Sequence, residues 1–337
     1  MKIGVVLGGL SAEKAVSYKS GYAVGEALIT KGHEVVFIDP ALGSNCILDY
    51  NDVSIGEIPP QADMSLKENF IHAFAGQAFD GLDCVFDVMH GTLGEDGILQ
   101  SLLELKGIPY TGSDAVSSAI AMDKVASKLL FLSAGINTPE WVVVNPDEVD
   151  DLDFLGDIIG QLGKNLVVKP KDQGSAVGLH ILTKTNEFDL QEALRDAAKF
   201  DDKILVEQYI PGRELTVGIF GGEAFPVVEI VPKEGHYDYK NKYQKGSTEY
   251  YCPANLSEDI AQFTQDMALM AHSVLGCRDY SRVDFRLNPD GQPFCLEVNT
   301  VPGFTELSLF PMGALEVGIS FADLCERLAE MAFERGS

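Results

Sequence analysis

Residues 282–308 read RVDFRLNPDGQPFCLEVNTVPGFTELS. The run divides into RVDFRLN, a Pro289-Asp290-Gly291 turn signal and QPFCLEVN, which is the pattern of a β-hairpin. A two-residue loop at Asp290-Gly291 sets Pro289 opposite Gln292. Counting outward then sets Asp284 opposite Glu297 and Arg282 opposite Asn299. The same count puts Val283, Phe285 and Leu287 on one face with Phe294, Leu296 and Val298, leaving Arg282, Asp284, Glu297 and Asn299 on the other. Opposed residues have Cβ atoms about 4.5–5.5 Å apart, so two carboxylates there repel unless a cation or proton lies between them. Oxygen donors with an amide beside them suit Mg²⁺, which also takes phosphate oxygens. A solvated hairpin face is the competing reading. Acid set opposite acid, and the apolar TVPGF that follows, count against it. A three-residue loop would shift the register by one, so the pairing rests on an even loop.

At 337 residues the chain suggests two or three domains. Hydrophobic residues at 46% and charged residues at 23% are those of a soluble globular protein. No apolar run approaches the roughly 18 residues of a membrane span, and the opening KIGVVLGGLSAE lacks a signal-peptide layout. A net charge of −26 argues against nucleic acid or an anionic membrane as partner. It also makes clustered lysines and arginines informative, because an acidic protein that handles an anion must gather its few cations there. Cys46, Cys84, Cys252, Cys277, Cys295 and Cys325 form no CxxC pair and read as buried thiols in a reducing cytoplasm.

KIGVVLGG, SAEKAVSYKSGYAVGEALITKG and HEVVFIDP read as strand, helix and strand, a β-α-β opening that implies a parallel sheet. A dinucleotide-binding alternative, with Asp39 closing the second strand, fails its fingerprint: Gly8-Gly9-Leu10-Ser11 is not G-x-G-x-x-G. Residues 41–69 read as irregular. DCVFDVMHG is a strand running into the glycine-rich GTLGEDG, ILQSLLELKG is a helix, and the first domain spans 1–112. AVSSAIAMDKVASKLLFLSAG reads as one long helical stretch. The middle domain, 113–211, continues with the strands WVVV, NLVVKP, LHILT and KILVEQYI, and Pro211-Gly212 marks its end. The third, 212–337, carries further strands, a Tyr-rich loop from Glu234 to Pro253, a helix, the hairpin and a terminal amphipathic helix.

Lys169 ends an apolar strand before Asp172-Gln173-Gly174-Ser175-Ala176-Val177-Gly178, a loop whose backbone N–H groups suit a phosphate chain. It is not a Walker loop, and a plain hairpin loop is the alternative. Glu207 ends KILVE, a strand edge suited to adenine, and Glu214 is placed to accept ribose hydroxyls; a solvated strand end is the bland reading of each. Lys242 and Tyr243 lie in the long polar loop, which reads as a lid. Glu13 and Ser17 fall in the first turns after the first strand, where ordinary helix capping competes with function. His90 ends a strand before Gly91.

Eight motifs occur in order over nearly the whole chain: GGLSAEKAVS, MHGTLGEDGILQ, MDKVASK, VVKPKDQGSAVG, VEQYIPGRE, YDYKNKY, SRVDF and LEVNTVPGFTELSL. Together they resemble those of ATP-grasp ligases, and within them the bacterial D-alanine:D-alanine ligases. The resemblance implies an α/β fold of three domains, a Rossmann-like parallel-sheet domain followed by two ATP-grasp α+β subdomains with nucleotide between them. It implies that Glu13 holds the first D-alanine ammonium in a triad with Ser175 and Tyr243, and that Ser17 and His90 line that subsite. Lys124 and Lys169 would grip phosphates, Lys242 the γ-phosphate, Glu207, Gln208 and Ile210 adenine, and Glu214 the ribose. Asp284, Glu297 and Asn299 would bind two Mg²⁺, with Mn²⁺ an alternative. Arg282 and the N–H of Gly303 would form an oxyanion site, and Ser308 and Leu309 would hold the second carboxylate. The implied partners are ATP, D-alanine and a second copy of the chain in a cytoplasmic homodimer. Lys14, Ala176 and Leu307 depart from residues common in these enzymes, which bears on the second substrate. The competing readings are a sister ligase joining D-alanine to D-serine or D-lactate, and a nucleotide- or amino-acid-binding protein without catalysis.

Overall fold

The computed structural model describes residues 1–54, 67–172, 174, 177–233 and 246–336. The first sheet holds β1 (Lys2–Val6), β2 (Glu34–Ile38), β3 (Ile47–Leu48) and β4 (Cys84–Asp87) in the order β3-β2-β1-β4. β1 runs parallel to both β2 and β4, as the β-α-β opening requires, with α1 (Lys14–Thr30) as the crossover. Its strands are apolar along nearly their whole length because both faces are covered. The stretch read as irregular holds β3, α2 (Tyr50–Ser54) and, further on, α3 (Glu68–Ala75). Phe70 and Phe74 of α3 are buried, and Phe74 stacks on Phe79 at 4.1 Å. That packing partner lies outside the helix, so local pattern alone did not reveal it. After α4 (Ile98–Lys106), the stretch read as one helix is two, α5 (Ala115–Met122) and α6 (Lys124–Ser133). Asp123 breaks it: at φ −77°, ψ 99° its carboxylate accepts the N–H groups of Val125 and Ala126 and caps α6.

The second sheet is antiparallel, with β5 (Trp141–Val144), β6 (Leu166–Pro170), β7 (His180–Leu182) and β8 (Ile204–Gln208) in the order β5-β8-β6-β7. α7 (Leu152–Leu162) and α8 (Glu187–Ala197) pack against it through Leu155, Ile158, Leu190 and Leu194. The third sheet comprises β9 (Arg213–Phe220), β10 (Glu223–Ala224), β11 (Val228–Pro232), β12 (Thr248–Tyr251), β13 (Tyr280–Leu287) and β14 (Pro293–Asn299). Its order is β12-β11-β9-β13-β14, with β10 on β9. α9 (Glu258–Val274) covers it together with α5 and α6. Two helices follow, α10 (Leu309–Glu316) and α11 (Phe321–Gly336). Although α11 comes last in the chain, it packs on the first sheet: Leu324, Leu328 and Ala332 share a core with Ile3, Val5 and Phe86.

In the hairpin, Arg282 faces Asn299 and Asp284 faces Glu297, as expected, but not by the expected route. Asn288 N–H donates to Gln292 O at 3.0 Å, closing a three-residue loop of Pro289, Asp290 and Gly291. That odd loop shifts the register near the turn, so Phe285 faces Cys295 and Leu287 faces Pro293. A β-bulge between Asp284 and Phe285 then inserts one extra residue on β14 and restores the outer register. The core face is therefore Pro293, Cys295 and Val298, whereas Phe294 and Leu296 are only half-buried. A hairpin without the bulge would have turned Glu297 into the apolar core.

The TVPGF segment earns its apolar character at the junction of the first and third sheets. Phe304 is fully buried, edge-on to Phe86 at 5.4 Å and to Tyr280 at 5.8 Å, with Phe310 beside it at 5.7 Å. Burying such a ring stabilises by roughly 1.5–3 kcal/mol. Here it also fixes where the chain leaves β14, and hence where Gly303 and Ser308 lie.

Candidate active site

Three adjacent strands present one polar cross-section. Thr216 on β9 faces Asp284 on β13, which faces Glu297 on β14; one pair outward, Gly218 faces Arg282, which faces Asn299. Every carboxylate oxygen of Asp284 is engaged. Oδ1 accepts Arg282 Nε at 2.9 Å and Thr216 Oγ1 at 2.6 Å. Oδ2 accepts an Arg282 terminal nitrogen at 2.9 Å and Asn299 Nδ2 at 3.0 Å. Across the pair, Lys124 Nζ lies 3.6 Å from Glu297 Oε2. The opposed carboxylates are thus compensated by a guanidinium and an ammonium of the chain itself. The donors are all of the hard-oxygen type that suits Mg²⁺, so the residues fit that ion chemically. A metal on Asp284 must, however, compete with the Arg282 fork.

A second charged group is reached one helical turn further along α6, where Lys128 meets the second sheet. Glu207, expected at a strand edge, sits instead on β8 in the middle of its sheet, flanked by β5 and β6, and is 2% exposed. Its Oε2 is 2.7 Å from Lys169 Nζ and its Oε1 is 2.9 Å from Lys128 Nζ. Burial alone would push the Glu207 carboxyl up, but Lys128 and then Lys169 hold it below the usual carboxylate range. Beyond it, Gln208 N–H donates to Glu140 O at 2.9 Å, Tyr209 N–H to Asn165 O at 3.0 Å, and Ile210 O accepts Arg286 Nε at 3.1 Å. The same arginine pairs across the strands with Glu214, 3.3 Å away. Lys171, next to the glycine loop, bonds Asp123 at 2.6 Å and tethers that loop to the cap of α6.

The first sheet contributes its strand ends. Asp39 is fully buried and accepts Gly9 N–H and Ala41 N–H on Oδ1, both at 3.0 Å, and Tyr18 OH on Oδ2 at 2.8 Å. Lys14 Nζ lies 3.4 Å from the same carboxylate. A carboxylate so committed offers nothing to a ribose, which removes the dinucleotide reading. Ser17 is likewise buried, donating to Val88 O at 2.6 Å and accepting Gly8 N–H at 2.8 Å; it braces two strand ends rather than lining an open subsite. His90 is buried, with Nδ1 donating to Val301 O at 3.0 Å, and burial pushes its imidazole below the ordinary range against the charge of Glu13. Glu13 opens α1 and borders a cavity of about 270 Å³ with Leu10, Gly91, Thr92, Gly174 and Val177. Ser308 caps α10; its Oγ accepts Thr305 N–H at 3.0 Å rather than a helix N–H. A Cβ on Gly303 would stand 3.3 Å from that Oγ, so the turn there is tight. Leu309 is the first residue of α10. Ser175, Ala176, Lys242 and Tyr243, with most of the expected lid, lie outside the described residues.

Sequence reasoning missed three residues. Lys128 was discoverable one helical turn beyond Lys124, and Thr216 two residues beyond Glu214 on the same strand face. Glu95 stood inside the glycine-rich GTLGEDG. Its Oε2 accepts Gly91 N–H at 2.6 Å, and burial, then the charge of Glu13, pushes its carboxyl up to about 8. An acid whose folded value is raised keeps a proton that the unfolded chain has lost, so its contribution is complete below the unfolded value and vanishes as pH rises to the folded one. Between about pH 5 and pH 8 the thermal midpoint of the wild type is therefore expected to fall more steeply than that of Glu95→Gln. Parallel slopes in a pH series of melts would refute this protonation.

Comparison with known proteins covers both ends of the chain. The model for the D-ala D-ala ligase N-terminus matches residues 2–113, and that for the D-ala D-ala ligase C-terminus matches residues 130–330. The D-alanine–D-alanine ligase of Methylacidiphilum infernorum is 40% identical over 333 residues, covering 99% of this chain and 96% of that protein. Among solved structures, the D-alanine–D-alanine ligase of Bacillus anthracis complexed with ATP has a TM-score of 0.76 at 31% identity, covering 99% of this chain and 98% of that one. The VanG D-Ala:D-Ser ligase of Enterococcus faecalis has a TM-score of 0.78 at 29% identity, covering 98% and 99%.

Proposed function

The chain belongs to the D-alanine–D-alanine ligase family, with the ATP-grasp fold, and from that premise we propose how its residues divide the work. The protein is an ATP-dependent ligase that joins two D-alanine molecules. The carboxylate of one D-alanine attacks the γ-phosphorus of ATP, giving D-alanyl phosphate and ADP. The amine of the second attacks the acyl carbon, phosphate leaves, and the amine proton is lost as the peptide bond forms. Phosphorylation turns a poor acyl donor into a good one, so the protein need supply only position and charge.

Lys124 and Lys169 meet the phosphates, in a protein otherwise strongly acidic. The backbone from Glu207 to Ile210 faces adenine, Glu214 faces the ribose, and Lys242 the γ-phosphate. Asp284, Glu297 and Asn299, which face one another across β13 and β14, would hold two Mg²⁺ through their oxygen donors. Bound there, the ions would neutralise phosphate charge and polarise the transferring group. Arg282 and Gly303 N–H stabilise the tetrahedral oxyanion. Glu13 takes the first ammonium, and the small cavity at its carboxylate supports that reading. Ser175 and Tyr243 complete the triad, and His90 holds one wall through Val301 O, just before Gly303. Ser308 and Leu309 bind the second carboxylate at the N-terminus of α10, whose first turn lacks a side-chain cap. Boundaries near 112 and 211 divide the chain into the three units. A cytoplasmic location is supported by six cysteines that form no disulfide.

The observation that carries this reading is the Asp284–Glu297 pairing beside Arg282 and Asn299. Phosphate release from ATP is expected with D-alanine alone, and D-alanyl-D-alanine as the product. A panel of D-serine, D-lactate and L-amino acids checks it. Release with D-lactate but not with D-alanine as acceptor would overturn the assignment.

A further inference from the structure

Lys128 has no part in binding a ligand above, yet among the site's described lysines it is the most deeply buried, at 0% exposure. Its ammonium donates to Thr138 Oγ1 at 2.7 Å and to Pro139 O at 2.9 Å, lies 2.9 Å from Glu207 Oε1, and rests 5.1 Å from the centre of the Trp141 ring. Those contacts commit its ammonium within the protein, with no surface of the side chain exposed. We propose that Lys128 is a positioning residue for ATP: it shares the Glu207 carboxylate, so that Lys169 keeps its positive charge for the phosphates. The inference rests on the reading of Lys169 as a phosphate-binding residue.

Glu207 is 2% exposed, and the Lys169 side chain retains 10%. With one lysine against one glutamate, the buried pair would be neutral and Lys169 drawn wholly onto the carboxylate. With two lysines the cluster carries one net positive charge. Lys128 is held by Thr138 and Pro139, so Lys169 is the member left to present that charge. Burying a second cation against one carboxylate is costly unless the charge is paired and hydrogen-bonded, as Lys128 is by Glu207, Thr138 and Pro139. The backbone delivers it economically: Lys124 and Lys128, one turn apart on α6, address Glu297 and Glu207 respectively.

The test uses phosphate release by the full chain, with tripolyphosphate and adenosine as competitors of ATP. Lys128→Met is expected to raise the ATP KM and the tripolyphosphate inhibition constant about tenfold, as loss of roughly 1.4 kcal/mol would. The adenosine constant and the D-alanine KM should stay within about twofold of wild type, on that same scale. In a Glu207→Gln background, adding Lys128→Met should leave the tripolyphosphate constant unchanged, because the carboxylate to be balanced is gone. If Lys128→Met by itself does not fold, Lys128→Gln, which keeps a polar group against Thr138 and Pro139 without the charge, carries the same expectation. An unchanged tripolyphosphate constant in Lys128→Met, equal losses for tripolyphosphate and adenosine, or a further loss in the Glu207→Gln background would each overturn the proposal. Lys169→Met separates the two levels. If it binds tripolyphosphate as wild type does, the phosphate reading of Lys169 has failed. If it is weakened while Lys128→Met is not, only the role of Lys128 has.

Discussion

Arg282→Met is expected to lower kcat by about 10²–10³-fold, the usual loss when one oxyanion donor is removed, while Mg²⁺ binds as tightly as before or more so. The two halves come from different observations. The catalytic loss follows from the position of the guanidinium, one pair outward from Asp284 and across from Asn299. The gain in metal affinity follows from the fork itself, which occupies both oxygens of Asp284 at 2.9 Å. An incoming cation must take at least one of those oxygens from Arg282, and removing the arginine removes the competitor. Methionine keeps the side-chain stem and discards the charge. Calorimetric titration with Mg²⁺ and a non-hydrolysable nucleotide, alongside steady-state phosphate release, reads both halves. A variant with weakened Mg²⁺ binding would mean that Arg282 organises the carboxylates instead of competing for them.

Glu13→Gln is expected to raise the KM for the first D-alanine by about 10²-fold and leave that for ATP within about twofold, since truncating one side of a buried ion pair costs 2–5 kcal/mol. The local structure makes Glu13 hard to replace by a neighbour. A Cβ on Gly174 would stand 2.9 Å from its Oε2 and one on Gly91 3.2 Å, so neither position can carry a side chain without crowding the carboxylate. Glu95, the other acid at Gly91, is pushed up to about 8 and carries a proton at neutral pH, so it offers an ammonium no counter-charge. Initial rates over a matrix of D-alanine and ATP concentrations separate the two constants. Equal effects on both substrates would place Glu13 in the scaffold. Unchanged D-alanine kinetics would remove it from the site.

Much of this architecture is written in short-range pattern. The β-α-β opening follows from an apolar run, a helical spacing and a second apolar run. The polar face of the hairpin follows from strict alternation on β13, where Val283, Phe285 and Leu287 are buried and Arg282, Asp284 and Arg286 are not. These features need no distant partner, because side-chain direction along a strand is a local property of the backbone. What the tertiary structure alone decided depends on residues far apart in sequence. The odd loop and the bulge on β14 offset one another, and only the packing of Cys295 and Val298 into the core of the third sheet requires both. Glu207 reads from the sequence as a strand edge suited to adenine, with a solvated strand end as the bland alternative. It is interior because β5 and β6 enclose its strand and two lysines arrive from α6 and β6. The last helix packs on the first strands because its apolar stripe meets α1 and β4 there. A buried charge is tolerated only where its partners are assembled, and that assembly is a property of the folded chain, which no window of neighbouring residues contains.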